Sequence, residues 1–233
     1  MVGLIPTHTI ISPSISELKW DVEISDRLLQ IQLAVKKLLE NQFADEIIEI
    51  RIGFRTLGIL WHRIPDPQQL LHFLNEIKDP LTDPLSRKTW EIPVCYENEF
   101  AKDLPALAEA KKLSPEELIR LHSENSYRIH FFGFLPGFMY LHGLPELLFS
   151  PRKTVPDRNI EAGSVAIGGS QTGIYPTNSP GGWHIIGRSP LSFFDAKKLP
   201  PVWASPGDLI SFCPISKEEF DSLKNSSFQP TWK

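Results

Sequence analysis

From Tyr127 onward the chain breaks into short apolar runs separated by glycine and proline, a pattern that fits the strands of a barrel or sandwich and leaves no room for long helices. Gly133, Pro136 and Gly137 form the first cluster of breaks, Gly168, Gly169 and Gly173 the second, and Ser179-Pro180-Gly181-Gly182-Trp183 the third. Two pieces echo one another. Ala162 to Ile167 and Pro206 to Ser211 each place a tight turn ahead of a strand, as a barrel of pseudo-symmetric construction would.

The first third has a different rhythm. Leu18, Trp20, Val22 and Ile24 alternate as a half-buried strand does, and a helix follows with Ser25 or Asp26 at its cap and Leu28, Leu29, Ile31, Leu33, Val35, Leu38 and Leu39 on its apolar surface. Ile47 to Phe54 and Leu57 to Trp61 predict a hairpin, and Asp66-Pro67 opens a second helix carrying Leu70, Leu71, Phe73, Leu74 and Ile77. The expected layout is β-α-β-β-α, ferredoxin-like, with Trp90 to Cys95 either its last strand or the first of the next domain. Asp79-Pro80 and Asp83-Pro84 mark residues 79 to 88 as a linker. We therefore expect an α+β domain over 1–85, a mainly β domain over 86–222 and a polar tail over 223–233 with little to pack. Ser114-Pro115-Glu116-Glu117 signals a helix start inside the second domain.

Charge and cysteine usage remove several function classes. Lys and Arg number 24 against 28 Asp and Glu, a net charge of -4 with no long basic run, so nucleic acid is not an expected partner. No apolar run reaches the length of a membrane span and Met1 to Ser16 has no signal-peptide pattern, so a cytoplasmic protein is expected, with Cys95 and Cys213 reduced. The seven histidines form no HExxH and no i,i+4 helical pair, and no metal site is expected. Gly168 to Gly173 lacks the lysine of a phosphate loop, because Ile174 stands in its place. Thr172 likewise replaces the last glycine of a serine-hydrolase elbow.

What remains is the concentration of special residues between Tyr127 and Pro190. Glycines let a backbone approach a ligand and turn its amides toward an anion, and Arg152, Arg188 and His184 in the same segment add the donors that a carboxylate or phosphoryl group needs. Each has a bland alternative: barrel corners for the glycines, solvated surface for the arginines, a hydrogen-bonded strand residue for His184. Phe134, Phe138, Tyr140 and Tyr175 could wall a pocket, with Tyr175 the strongest candidate because phenylalanine so commonly packs in cores.

At these residues the sequence resembles the family of the 5-oxoprolinase B subunit, also known as allophanate hydrolase subunit 1 and including a sensor histidine-kinase inhibitor. The resemblance rests on Glu91 to Tyr96, Gly133 to Leu141, Ala162 to Ile167, Gln171 to Pro176 and Ser179 to Arg188, in the family's order. It implies a small α+β N-terminal domain and a cyclophilin-like β-barrel. It further implies membership of a heteromeric complex, with a C subunit of related barrel fold and a separate A subunit, that converts 5-oxo-L-proline to L-glutamate at the expense of ATP and its Mg2+. On that reading Arg152 and Arg188 would hold a carboxylate or phosphoryl group. Gly168, Gly169, Thr172, Ser179, Gly181 and Gly182 would donate to it, and His184, Gln171 and Tyr175 would orient the lactam or shuttle a proton. Inhibition of a sensor histidine kinase, or a carboxyltransferase-like role on urea or allophanate, is the alternative. The chain departs from the family pattern twice: Asp157 follows Pro156 where a second Pro-Arg pair is usual, and Glu161 stands where proline commonly precedes Ala162.

Overall fold

The computed structural model of the chain describes residues 5–77, 80, 82–225 and 230–233. Asp79 and Leu81 of the expected linker, the first four residues and residues 226–229 of the expected tail lie outside these. Contacts divide the chain into two units, Met1–Leu85 and Ser86–Lys233.

In the first unit, α1 (Asp26–Gln42) begins where the Ser25 hydroxyl accepts the Leu28 amide at 3.2 Å, supplying a partner to one of the otherwise unbonded N–H groups of the first turn. Its buried stripe, Leu28, Ile31, Val35 and Leu39, packs with Leu18, Leu57, Ile59 and Trp61 from a four-stranded antiparallel sheet. That sheet runs β1 (Thr7–Ser12), β2 (Ile15–Lys19), β4 (Thr56–Trp61), β3 (Ile47–Ile52). Gln32 is buried on α1, and its amide donates to the carbonyls of Gly53 and Thr56 at 3.0 and 3.1 Å, pinning the β3–β4 turn. Asp66 caps α2 (Pro67–Glu76), which buries Leu70 and Leu74. The observed order is thus ββαββα. The strand expected at Leu18 to Ile24 is shifted to Ile15–Lys19 and gains β1 as a partner through a turn after Ser12. Thr7–Ser12 escapes a periodicity reading because its residues are mostly exposed on both faces and do not alternate.

The second unit is a closed barrel. Its strands run β12 (His184–Arg188), β9 (Ser164–Gly168), β10 (Gln171–Ile174), β7 (Met139–His142), β6 (Ser126–Phe132), β13 (Leu209–Ile215) and β5 (Thr89–Cys95), and β5 meets β12 again at Cys95 and Arg188. Trp90 to Cys95 therefore belongs here, pairing in parallel with β13. Closure removes the open edges that a sheet of this size would expose. A separate ribbon joins β8 (Asp157–Ile160) to β11 (Ser179–Gly181). Two helices, α3 (Leu104–Lys111) and α4 (Pro115–Ser123), precede β6, and α4 opens with the expected capping box between Ser114 and Glu117. After β13 the chain does not trail off. It forms α5 (Lys217–Lys224), whose Phe220 packs on Phe100, and then β14 (Thr231–Trp232), which pairs with Glu91 and Trp90.

Inside the barrel, α4 places His122 in a fully buried polar relay. The Thr172 hydroxyl gives its proton to the Ala166 carbonyl at 3.0 Å, so it accepts from His122 Nε2, also at 3.0 Å. His122 Nδ1 is then the acceptor for the Tyr96 hydroxyl at 3.0 Å, which fixes the ring as a neutral tautomer. Phe212 stacks on it with centroids 4.7 Å apart. Burial pushes the His122 pKa down to about 3 from its ordinary 6.5.

Between those two values the unfolded chain takes up a proton that the folded barrel refuses, so stability falls as pH drops from about 6.5 toward 3 and is fully retained above that window. Complete passage through it costs on the order of 5 kcal/mol. Urea midpoints at pH 7 and pH 4.5 are expected to differ in that direction, and His122→Gln, although less stable at pH 7, is expected to show a flatter pH profile.

Candidate functional site

Trp183 sets the floor of an aromatic depression in the second unit. Its indole lies so close to the β9 backbone that a Cβ on Gly168 would stand 2.5 Å from the ring, which is why that position carries no side chain. Phe138 meets Trp183 edge-on at 5.6 Å and Tyr175 edge-on at 5.0 Å, and Tyr140 closes the box at 5.8 Å from Trp183. Phe134 stands at the rim, 62% exposed, on a left-handed backbone with φ 63°. Holding a phenylalanine in that region costs about 1 kcal/mol, and it turns the ring toward the mouth instead of the core. With Leu135, Pro156 and Pro180 these rings enclose a cavity of about 420 Å³.

Polar groups enter this apolar box at few points. The Arg152 guanidinium lies over the Trp183 ring, 5.6 Å from its centroid, where the π face attracts it. Ser179 is only 8% exposed, and its hydroxyl has no hydrogen-bond partner among the described residues although the residue lines the cavity. A buried hydroxyl without a partner costs about 1–3 kcal/mol, so this position favours a ligand that supplies one. Gly181 passes so near Tyr175 that a Cβ there would stand 2.3 Å from the phenol oxygen. Burial raises the Tyr175 pKa to about 12, against the pull of a backbone hydrogen bond from Trp183, so the phenol is a proton donor near neutral pH and not a base.

Lys153 holds the walls in place. Its Nζ donates to Asp103 and to Asp157, at 2.7 Å in each ion pair, while its backbone N–H donates to the Gly182 carbonyl at 2.7 Å. Asp103 in turn accepts the Ile185 amide at 2.7 Å, and Lys102 meets Asp157 at 3.0 Å. Burial alone would lower the Lys153 pKa, but the two carboxylates outweigh it and hold the ammonium charged.

Beyond Arg152 lies a wider trough of about 660 Å³, lined by Lys111, Ser150, Arg152, Lys153, Thr154 and His184 among others. His184 Nε2 donates to the Pro151 carbonyl at 2.9 Å.

Of the residues expected at a site, Arg152, Tyr175, Ser179, Gly181 and Gly182 come together around the aromatic cavity, and His184 faces the trough on the other side of Arg152. The others do not join them. Arg188 is paired with Glu161 and donates through Nε to the Ala162 carbonyl at 2.9 Å, and it borders a different depression of about 110 Å³. No clamp of two arginines forms. Gly168 and Gly169 belong to the β9–β10 hairpin, where the Gly169 amide is taken by the Ser150 carbonyl at 2.6 Å, so they are a barrel corner and not an anion cradle. Gln171 sits beside that turn with its amide donating to Ser170 Oγ, and Thr172 points into the core toward His122. Phe134, Phe138 and Tyr140 do wall the cavity beside Tyr175. Trp183 is a cavity-lining residue to which the sequence reading gives no role, although its place at the end of the Ser-Pro-Gly-Gly-Trp motif is a usable signal.

The fold and its motifs recur in known proteins. The model of the family described as carboxyltransferase domain, subdomain C and D, matches residues 8–204. The B subunit of 5-oxoprolinase from Bacillus subtilis is 34% identical over 223 residues, 90% of this chain and 93% of that protein. The chain belongs to the 5-oxoprolinase B subunit family. A further member, the B subunit of the Haemophilus influenzae enzyme, is 38% identical over 73% of this chain and 81% of its own length. The K. lactis urea amidolyase shares the fold, with a TM-score of 0.81 at 17% identity over 99% of this chain, which spans 16% of that larger one. No helix among the described residues of this family member is long and apolar enough to cross a membrane. Among the same residues no group of three or more His, Cys, Asp or Glu could hold a metal ion.

Because the Lys153 ammonium bridges Asp103 and Asp157, Lys153→Met is expected to lower stability at pH 7 by about 1–3 kcal/mol, leaving two partly buried carboxylates short of a partner. Urea unfolding at pH 7 checks this.

Proposed function

We propose that this chain is the B subunit of an ATP-dependent 5-oxoprolinase and that its aromatic cavity receives the lactam ring during activation. The observation that carries this reading is the pairing of the unpartnered, buried Ser179 hydroxyl with the Arg152 guanidinium as polar points of an otherwise aromatic box. A five-membered lactam with one carboxylate is a flat ring carrying one anion and one polar amide edge. Aromatic walls suit the ring, Arg152 suits the carboxylate, and Ser179 suits the amide edge.

The chemistry explains the need for ATP. A lactam carbonyl is a weak electrophile because the ring nitrogen donates into it. Phosphorylation of the amide oxygen by the terminal phosphoryl group, with ADP leaving, draws the nitrogen lone pair into a C=N bond and leaves an O-phosphorylated iminium carbon that is a far stronger electrophile. Water then adds to the carbon and the ring nitrogen departs as the amine, opening the ring to an acyl phosphate. A second water releases phosphate and L-glutamate. The protonated Tyr175 phenol and the Gly181–Gly182 backbone supply fixed dipoles beside the ring, and His184 lies across Arg152 in the trough. Mg2+ would arrive with the nucleotide. The A and C subunits complete the complex, and the barrel related to this one lies in the second of them.

The test is glutamate formation from 5-oxoproline and ATP by the reconstituted complex, with each component omitted in turn. Activity is expected to vanish without this chain. Ser179→Ala is expected to raise KM for 5-oxoproline about 3- to 10-fold, as loss of one neutral hydrogen bond does. Arg152→Ala is expected to lower kcat/KM by about 10- to 100-fold. Undiminished turnover without this chain would remove it from the enzyme, and wild-type kinetics for Arg152→Ala would remove the cavity from the reaction.

A further inference from the structure

We infer that the trough beyond Arg152 is a phosphate-binding site, so that Arg152 forms the shared wall between a ring-binding cavity and a polyphosphate-binding trough. This rests on the phosphoryl-transfer reading and assigns its second half to particular residues of this chain.

Lys111 and Arg152 line the trough together with His184 and the hydroxyl residues Ser150 and Thr154, beside Lys153, whose ammonium is already paired with Asp103 and Asp157, and no carboxylate is among the residues lining it. The acids that balance Lys153, namely Asp103 and Asp157, do not line the trough. Lys111 donates to the Phe149 carbonyl, which anchors the ammonium at the trough's edge and leaves further N–H groups for a ligand. His184 is held by the Pro151 carbonyl with its ring fixed across from Arg152. The trough is also larger than the aromatic cavity, about 660 against 420 Å³. The oxygens of a di- or triphosphate would meet the Lys111 ammonium and the Arg152 guanidinium there.

The position of Arg152 gives the arrangement its chemical sense. Its side chain belongs to both depressions, so one guanidinium can contact a ring substituent on one side and a terminal phosphate on the other. A lactam oxygen and the phosphorus it attacks must lie within a few ångströms of each other, and a shared cation that neutralises both partners is the arrangement which phosphoryl transfer favours.

The experiment titrates the chain, alone and in the complex with the A and C subunits, with inorganic pyrophosphate, ATP and 5-oxoproline by calorimetry. Lys111→Ala combined with His184→Ala is expected to weaken pyrophosphate and ATP at least about tenfold while leaving 5-oxoproline within about twofold. Trp183→Leu is expected to do the reverse, and Arg152→Ala to weaken all three. Circular dichroism and thermal midpoints establish that each variant is folded. Equal pyrophosphate affinity in the wild type and the Lys111/His184 variant overturns the trough assignment, as does failure of pyrophosphate and ATP to bind in either preparation. Pyrophosphate needs no lactam, so the two readings separate. Trough binding without glutamate formation keeps the phosphate site and removes the lactam, and glutamate formation with the trough variant unaffected does the opposite.

Discussion

Lys153 is the interaction on which both depressions depend. One ammonium holds Asp103 just ahead of α3 and Asp157 at the start of β8, while the backbone of the same residue ties down Gly182. Asp103 passes the constraint on to β12, accepting the Ile185 amide with its side chain as its own amide donates to the Ile185 carbonyl at 3.0 Å. Three segments distant in sequence, around Asp103, Lys153 to Asp157 and Gly182 to Ile185, are thereby fixed around one charge. A surface ion pair adds little, but a lysine whose side chain is 17% exposed, with two carboxylates that keep it charged, resists both water and rearrangement. Trp183 and Arg152 sit one residue from the tied positions, so their stacking inherits that order.

The aromatic cavity follows from what glycine leaves out. Indole and phenol rings can lie flat against a backbone only where no Cβ intervenes, and Gly168 under Trp183 and Gly181 beside Tyr175 provide those two approaches. Their role is spatial. The rings gain backbone contact on one face and keep the other for the cavity, while edge-on packing through Phe138 locks them at angles near perpendicular, 87° and 89°. Such a box is rigid before a ligand arrives, which limits the ordering cost of binding.

Local signals were legible in the sequence and tertiary ones unevenly so. Ser25, Asp66 and Ser114 announce their helices because a cap is chemistry within a few residues, and the glycine and proline spacing announces the barrel for the same reason. The role of each glycine is not legible, since the need for a missing side chain looks alike whether a ligand or a neighbouring ring occupies the space. Gly168 and Gly169 thus have the pattern of an anion cradle, yet one carries Trp183 and the other turns a hairpin. Thr172 was not legible either: the sequence sets it beside the glycines as a ligand donor, whereas β10 is buried at Thr172, Gly173 and Ile174 alike and the hydroxyl is taken by His122 from α4. Nothing local shows that Arg188 closes on Glu161, a contact across 27 positions of chain.

Asp157 and Glu161 set how charge is distributed around the site. Asp157 accepts from Lys102 and Lys153, and Glu161 pairs with Arg188. Both acids take up cations that could otherwise face a ligand. Arg152 remains the one cationic side chain lining the aromatic cavity among the described residues. A single guanidinium can compensate one anionic group in an apolar box, where an unpaired charge is expensive, but it cannot compensate a ring carboxylate and a triphosphate together. Charge balance therefore favours keeping the phosphates of any nucleotide outside the aromatic cavity, where Lys111 and the far side of Arg152 can meet them, with only the transferring group brought up to the ring.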